Sequence, residues 1–466
     1  MIQLKIKKGT IIELNVESLS YGGDGFARYN DIAVFVQKGL PGQTLEAVIT
    51  KKNKKFLKAK ILNILKKSPD QINPKCTHFQ DCGGCSFQNY NYSKQLQEKG
   101  NQVKDLLKHI TGLSSSKIKK IKKANQTYNY RNKMEFTFSN DPWFEKYNPK
   151  EKKDLCLGLH PKGRFDKTID LENCEIQSEI SNQILNIARH SAIKNNLTPY
   201  DIKKHTGFLR QIVIRSAIHK NETMVIIVTS ENNQKKLEPL INDLKKVTEI
   251  KAIINNVNRK KADVSYSEEQ YLLYGDDFIT EKIGPYKFRI SPDSFFQTNS
   301  KQAKILYDLI KKEANLTGNE IIYDLYCGTG TIGIYLSKKA KKIFGFEIIP
   351  SAIDDAIINA SNNNVKNALF FQGDIKDSLI DNKEIDIIEK PDISIIDPPR
   401  SGLHPKALKN IIKLKQKKII YISCNPSTQA RDLIDFIDAG YKVINIIPVD
   451  MFPHTPHIES IVTLER

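Results

Sequence analysis

Hydrophobic and polar positions follow three different rhythms along the chain. From residue 1 to about 67, short period-two runs alternate with glycine-rich turns, as in TIIELNVESLSYGGDGFARYNDIAVFVQKG. That pattern predicts an all-β unit, an OB-like β-barrel. From 68 to about 285 the rhythm is mixed. A turn-rich opening, KSPDQINPKC, precedes helical periodicity over 93–109 and 177–195. KMEFTFS (133–139), RQIVIRSA (210–217) and TMVIIVTS (223–230) read as strands, the last two as a hairpin turning at HKNE. From about 286 to 466, strand-length apolar runs (IIYDLY, IFGFEI, LFFQGD, ISIIDPP, KIIYISC, KVINIIPVDM) alternate with helical stretches. This predicts a mostly parallel α/β sheet, Rossmann-like, with ligands at the C-terminal ends of its strands. The expectation is a multidomain chain: barrel 1–67, α+β domain 68–285, α/β domain 286–466.

Composition narrows the partners. No apolar run reaches the roughly 18 residues of a membrane span, and MIQLKIKKGT lacks the apolar core of a signal peptide. A cytoplasmic protein with no membrane partner is expected. The 7 cysteines are too few and too uneven for a secreted disulfide scaffold, so reduced or metal-bound thiols are the better reading. The net charge is +19, from 72 Lys and Arg against 53 Asp and Glu. Residues 1–67 alone carry 13 Lys and Arg against 5 Asp and Glu, a net +8. Such a balance favours nucleic acid. Tyr21, Phe26, Arg28 and Phe35 sit where side chains could stack on RNA, Phe35 being also expected in the barrel core.

Four stretches carry candidate chemistry. In DLYCGTGTIG, Gly328, Gly330 and Gly333 form G-x-G-x-x-G between a strand and a helix, a turn that a nucleotide ligand approaches closely. Glu347 ends the next strand, where a carboxylate accepts bonds from ribose hydroxyls, and Asp374 ends the one after, where it suits an adenine amino group. NAD and S-adenosylmethionine both fit; Asp324-Leu325-Tyr326 and the late position of the domain favour the latter. In IIDPPRSGL, Asp397 stands on a lip stiffened by two prolines. In IIYISCNPSTQARDL and HTPHIESIVTL, Cys424 is a candidate nucleophile and Glu459 a candidate base. A thiolate that adds to carbon 6 of uracil makes carbon 5 nucleophilic; a base must afterwards take the carbon 5 proton. Otherwise Cys424 is core filler and Glu459 a surface cap. In CTHFQDCGGCSFQ, Cys76, Cys82 and Cys85 follow C-x5-C-x2-C, with Cys174 or Cys156 as fourth partner. Three clustered cysteines and a remote one suit a [4Fe-4S] cluster.

Together these stretches resemble the RNA uracil-5-methyltransferase family over nearly the whole chain, and within it the 23S ribosomal RNA, or RumA-like, branch. YRNKMEF (130–136) and SFFQTN (294–299) also match family motifs. The resemblance implies a TRAM domain at the N-terminus, a class I methyltransferase domain at the end, Cys424 as nucleophile and Glu459 as base. It places Gln297, Tyr326, Glu347 and Asp374 at S-adenosylmethionine, with Asp397 near both cofactor and uracil. It selects Cys174 (IDLENC) over Cys156 to join Cys76, Cys82 and Cys85. One position departs, Thr331 standing where the ribosomal branch carries Asn. The implied activity is methylation of uracil carbon 5 in RNA, 23S rRNA first, by a monomer. The same reaction on a tRNA uridine is the alternative, and a non-catalytic iron–sulfur RNA-binding regulator is a more distant one. A cytosine-5 enzyme is disfavoured because Pro426 follows the cysteine instead of preceding it.

Overall fold

The computed structural model describes residues 6–144, 154–262, 265, 269–378 and 389–466. Residues 1–5 of the expected barrel lie outside that range. Among the described residues no helix is long and apolar enough to cross a membrane.

The N-terminal unit is a six-stranded sheet in the order Ile11–Asn15, Thr44–Lys52, Phe56–Lys66, Ile32–Gln37, Gly25–Tyr29, Ser18–Leu19. Alternate side chains from five of these strands, Ile12 to Ala59, meet in one core. The same alternation corrects the expectation that Phe35 fills that core. Val34 and Val36 point inward and are fully buried, so Phe35 between them faces out. Its ring lies 6.0 Å from Phe26 and 5.5 Å from Phe56, with the Arg28 guanidinium 5.4 Å over Phe26.

The middle unit holds a seven-stranded sheet that includes Lys133–Ser139, Leu209–Ala217 and Glu222–Thr229, with the hairpin pairing Ala217 with Glu222 as expected. Leu209–Ala217 and Glu222–Thr229 are buried on both faces, whereas Lys133–Ser139 alternates. Ile212 and Ile214 pack under helices Glu179–Lys194 and Gln234–Leu244, while Val213 and Ile226 pack against the C-terminal domain. Double-sided burial explains why RQIVIRSA and TMVIIVTS show so little polar alternation.

The C-terminal sheet runs Ala368–Gln372, Lys342–Glu347, Ile321–Leu325, Ile393–Ile396, Lys418–Ser423, Glu459–Glu465, Lys442–Val449. Its first five strands are parallel and wound by helices, as the alternation predicts. Glu459–Glu465 is different: it inserts between Lys418–Ser423 and Lys442–Val449, antiparallel to both. Helix Tyr92–Thr111, expected within the middle domain, packs through Val103 and Leu107 into the core of this C-terminal sheet, beside helix Pro426–Asp438.

Candidate active site

The inserted strand brings Cys424 and Glu459 side by side. Ser423 is in register with Ser460, so the next position along the ladder sets Cys424 beside Glu459. Cys424 stands one residue past strand Lys418–Ser423, just before helix Pro426–Asp438, with Pro426 at the first helical position. Asn425 caps that helix, its Oδ1 accepting the Ser427 N–H at 3.1 Å. Glu459 is only 6% exposed. Burial holds its carboxyl well above the usual range, the charge of Asp397 adds to this, and Arg400 opposes it. Burial also pushes the Cys424 thiol up to about 11, Glu459 adding and Arg400 opposing. Asp397, one residue past strand Ile393–Ile396, is pushed up to about 7 by burial. The pocket therefore resists negative charge, and Arg400 is the cation that relieves it. Arg400 donates from Nη2 to His457 Nδ1 at 2.8 Å, and its backbone oxygen accepts from Asn425 Nδ2 at 3.1 Å. Burial, then Arg400, lowers His457 to about 4, so its imidazole is neutral and can accept that bond.

At the same C-terminal edge of the sheet, after strand Ile321–Leu325, lies the nucleotide turn. Asp324 is buried, and its Oδ2 accepts the Gly333 N–H at 2.8 Å, tying strand to helix. Gly330 has φ +75°, and a Cβ there would stand 2.8 Å from the Phe370 ring, so the cradle requires glycine. Tyr326 also takes a left-handed φ, +64°, at the mouth of the turn. Glu347 is fixed by three backbone N–H groups, from Gly328 at 3.2 Å, Ile348 at 2.8 Å and Ile349 at 3.1 Å. Burial works upward on Asp374, but Lys376 at 2.7 Å outweighs it and keeps the carboxyl below its ordinary value. Tyr326, Glu347 and Asp374 line one cleft of about 400 Å³, walled by Ser401 to Pro405 of the proline lip and by Arg431. A glycine cradle with two acids at successive strand ends fits an adenosyl ligand. Gln297 is not a wall of that cleft; it is buried, its backbone oxygen accepting from Asn132. Thr331 bonds Tyr307 through its hydroxyl at 2.8 Å, which gives the departure at that position an internal partner.

Cys76, Cys82, Cys85 and Cys174 line a second cavity, of about 430 Å³, which Thr455 and His457, just before Glu459, also border. Cys156 lies elsewhere, its thiol donating to the Ser139 oxygen at 3.2 Å. Burial pushes the thiols of Cys85 and Cys174 up to about 12, and the neighbouring cysteines add to it. The Gly84 N–H points at Cys82 Sγ at 3.3 Å. Four thiols on one cavity are the donor chemistry of an iron–sulfur cluster. As arranged, though, no group of three or more His, Cys, Asp or Glu among the described residues converges closely enough to hold a metal ion.

A wound α/β sheet with a glycine cradle, and a cysteine and a carboxylic acid in register next to it, defines an S-adenosylmethionine-dependent methyltransferase. The model of the tRNA (uracil-5-)-methyltransferase family matches residues 91–466, and that of the TRAM domain matches residues 5–62. An uncharacterized RNA methyltransferase of Chlorobaculum tepidum is 37% identical, covering 100% of this chain and 98% of its own. One of Bacteroides thetaiotaomicron is 38% identical, over 95% and 99%. The crystal structure of the Pyrococcus abyssi tRNA (uracil-54, C5)-methyltransferase with S-adenosyl-L-homocysteine is similar at 30% identity and a TM-score of 0.75, covering 97% of this chain and 100% of that one. The chain belongs to the tRNA (uracil-5-)-methyltransferase family, with an N-terminal TRAM domain, and is an RNA (uracil-5-)-methyltransferase.

Sequence reasoning passed over Arg400, although it follows the two prolines directly, and over His457 and Asn425. Asn425 carries a local signal, an N-cap residue before a proline, while nothing local marks His457, which joins the site only through the fold.

Proposed function

We propose that the protein methylates carbon 5 of a uridine in 23S ribosomal RNA through a covalent adduct of Cys424. The observation that carries the reading is the register that sets Cys424 beside Glu459, with Asp397 and Arg400 acting on both. The Cys424 thiolate forms a bond to carbon 6, and the ring's electron pair moves onto the carbonyl conjugated with carbon 5. Tyr326, Glu347 and Asp374 would hold S-adenosylmethionine, a role the reading extends to Gln297 and Asp397; its methyl would pass from the sulfonium to carbon 5, leaving S-adenosylhomocysteine. Glu459 then takes the carbon 5 proton, the sulfur–carbon bond breaks, and the thiolate is restored. A carboxyl raised by burial is a strong base once ionised, which suits that step. The uracil must leave its stack to reach the thiol.

In this reading the N-terminal sheet is an OB-like RNA grip, the working domains are 1–67, 68–285 and 286–466, and the protein acts as a cytoplasmic monomer. Cys76, Cys82, Cys85 and Cys174 would hold a [4Fe-4S] cluster that shapes the middle domain. A tRNA uridine is the second reading, favoured by the similarity to the Pyrococcus abyssi tRNA enzyme. Unmodified ribosomal and transfer RNA transcripts, incubated with anaerobically purified protein and S-adenosylmethionine and analysed for 5-methyluridine by mass spectrometry, separate the two. Methyl on ribosomal RNA, lost in Cys424→Ala, is the expected result. Methyl on transfer RNA alone would move the substrate, and none on either would remove the activity.

A further inference from the structure

The TRAM domain reaches the catalytic cysteine. At the tip of its turn, residues 20–24, Tyr21 donates from its hydroxyl to Asn425 Oδ1 at 3.2 Å, across 404 residues of sequence. Asn425 is the neighbour of Cys424; it caps the following helix and holds the backbone of Arg400. Tyr21 lies within electrostatic range of Arg400, Cys424 and Glu459. The turn that carries it is built to stay put. The Ser20 N–H donates to the Asp24 oxygen at 2.8 Å and the Gly23 N–H to the Ser20 oxygen at 3.0 Å. The Asp24 carboxylate pairs with Lys162 of the middle domain at 2.8 Å. Gly23, at φ +88°, fits so tightly that a Cβ would come within 3.1 Å of Pro456 and 3.2 Å of Phe87. Tyr21 nevertheless remains 41% exposed. A rigid turn thus presents an uncovered aromatic ring at the mouth of the nucleophile pocket.

We propose that Tyr21 is a wall of the uridine site, its ring receiving a base of the bound RNA and its hydroxyl, through Asn425, holding the ring beside Cys424. The inference rests on the covalent mechanism proposed above. It makes Tyr21 a positioning residue of the TRAM domain that acts after RNA has bound, because affinity comes mainly from phosphate contacts spread over the basic surface. The test is single-turnover adduct formation, with S-adenosylmethionine present, on RNA carrying 5-fluorouridine; once methylated, its carbon 5 bears fluorine in place of the proton a base would take, so the covalent complex persists. At saturating RNA, Tyr21→Ala should slow the adduct by about ten- to a hundred-fold, as expected for one lost base–aromatic stack, with RNA affinity within about threefold and an unchanged melting temperature. Tyr21→Phe, which keeps the ring and loses the tether, should fall between. If Tyr21→Ala forms adduct at the unsubstituted rate, or loses affinity alone, the inference is wrong. If Tyr21→Phe is as slow as Tyr21→Ala, the stacking role is wrong. If the unsubstituted protein forms no adduct, the covalent mechanism fails and the inference with it.

Discussion

Glu459 and Asp397 are carboxylic acids in a pocket that disfavours their charged forms, and each consequence can be measured. Glu459→Gln removes the proton acceptor, so methylated RNA should remain bonded to Cys424. Turnover should fall by about 10²–10⁴, with a protein–RNA band persisting on a denaturing gel. The same change removes the neighbour that most opposes the Cys424 thiolate after burial itself, so iodoacetamide should alkylate Cys424 faster at a given pH. Asp397 has an ordinary value of 3.8 and is raised to about 7 by burial. Below about pH 4 the folded and unfolded chains both hold that proton. Between pH 4 and 7 only the folded chain does, so stability falls as pH rises through this window and levels off above it. Asp397→Asn should therefore match the unsubstituted protein at pH 4 and exceed its unfolding free energy by about 2–4 kcal/mol at pH 8, while losing activity. Cys424, Glu459 and Asp397 were legible because each belongs to a short run whose chemistry is local, at the end or start of a strand. Phe35 was misread because aromatic character was weighed above the alternation of its own strand, in which Val34 and Val36 already claim the core.

Among the elements, helix Tyr92–Thr111 shows how support reaches the site from a distance. Lys99, on that helix, meets Asp450 at 2.6 Å with both side chains almost fully buried, and also donates to the Phe452 oxygen at 3.1 Å. Tyr92 donates to the other oxygen of Asp450 at 2.8 Å. These bonds fix the start of the segment that carries His457 and leads into Glu459. Lys99→Met strands a buried carboxylate and should cost about 3–5 kcal/mol in urea unfolding. Adding Asp450→Leu should restore most of that stability, because the loss comes from the unpaired charge and not from packing. The helix itself was plain in the sequence from its periodicity. Its home in the C-terminal core was not, since periodicity reports that a face is apolar and not what covers it. The strand Glu459–Glu465 escaped for a related reason: its pairing depends on positions some forty residues away, which no local pattern encodes.

At the scale of the whole molecule, a net charge of +19 is spread over a chain whose TRAM sheet carries an aromatic cluster, Phe26, Phe35 and Phe56, on its outer face. RNA affinity should drop steeply with salt, by about 10³–10⁵ between 50 and 200 mM if six to ten phosphates are contacted. Phe35→Ala should weaken binding by about 1–3 kcal/mol without changing that slope, since stacking releases no counterions. Titrations of labelled RNA at several salt concentrations measure both, and a flat dependence would remove the basic surface as the grip. The three units are legible in the sequence as three rhythms. Their convergence on one pocket, with Tyr21 arriving from the first and Thr455 and His457 bordering the cysteines of the second, belongs to the folded state alone. The register between Ser423 and Ser460 has a last consequence, for descent with modification. Cys424 and Glu459 are brought together by main-chain hydrogen bonds, which are indifferent to side-chain identity. Lineages are thus free to exchange the residues along both strands, provided they remain strand-forming and buried. A single inserted or deleted residue within either strand would instead shift the register by one and turn Cys424 or Glu459 to the opposite face of the sheet.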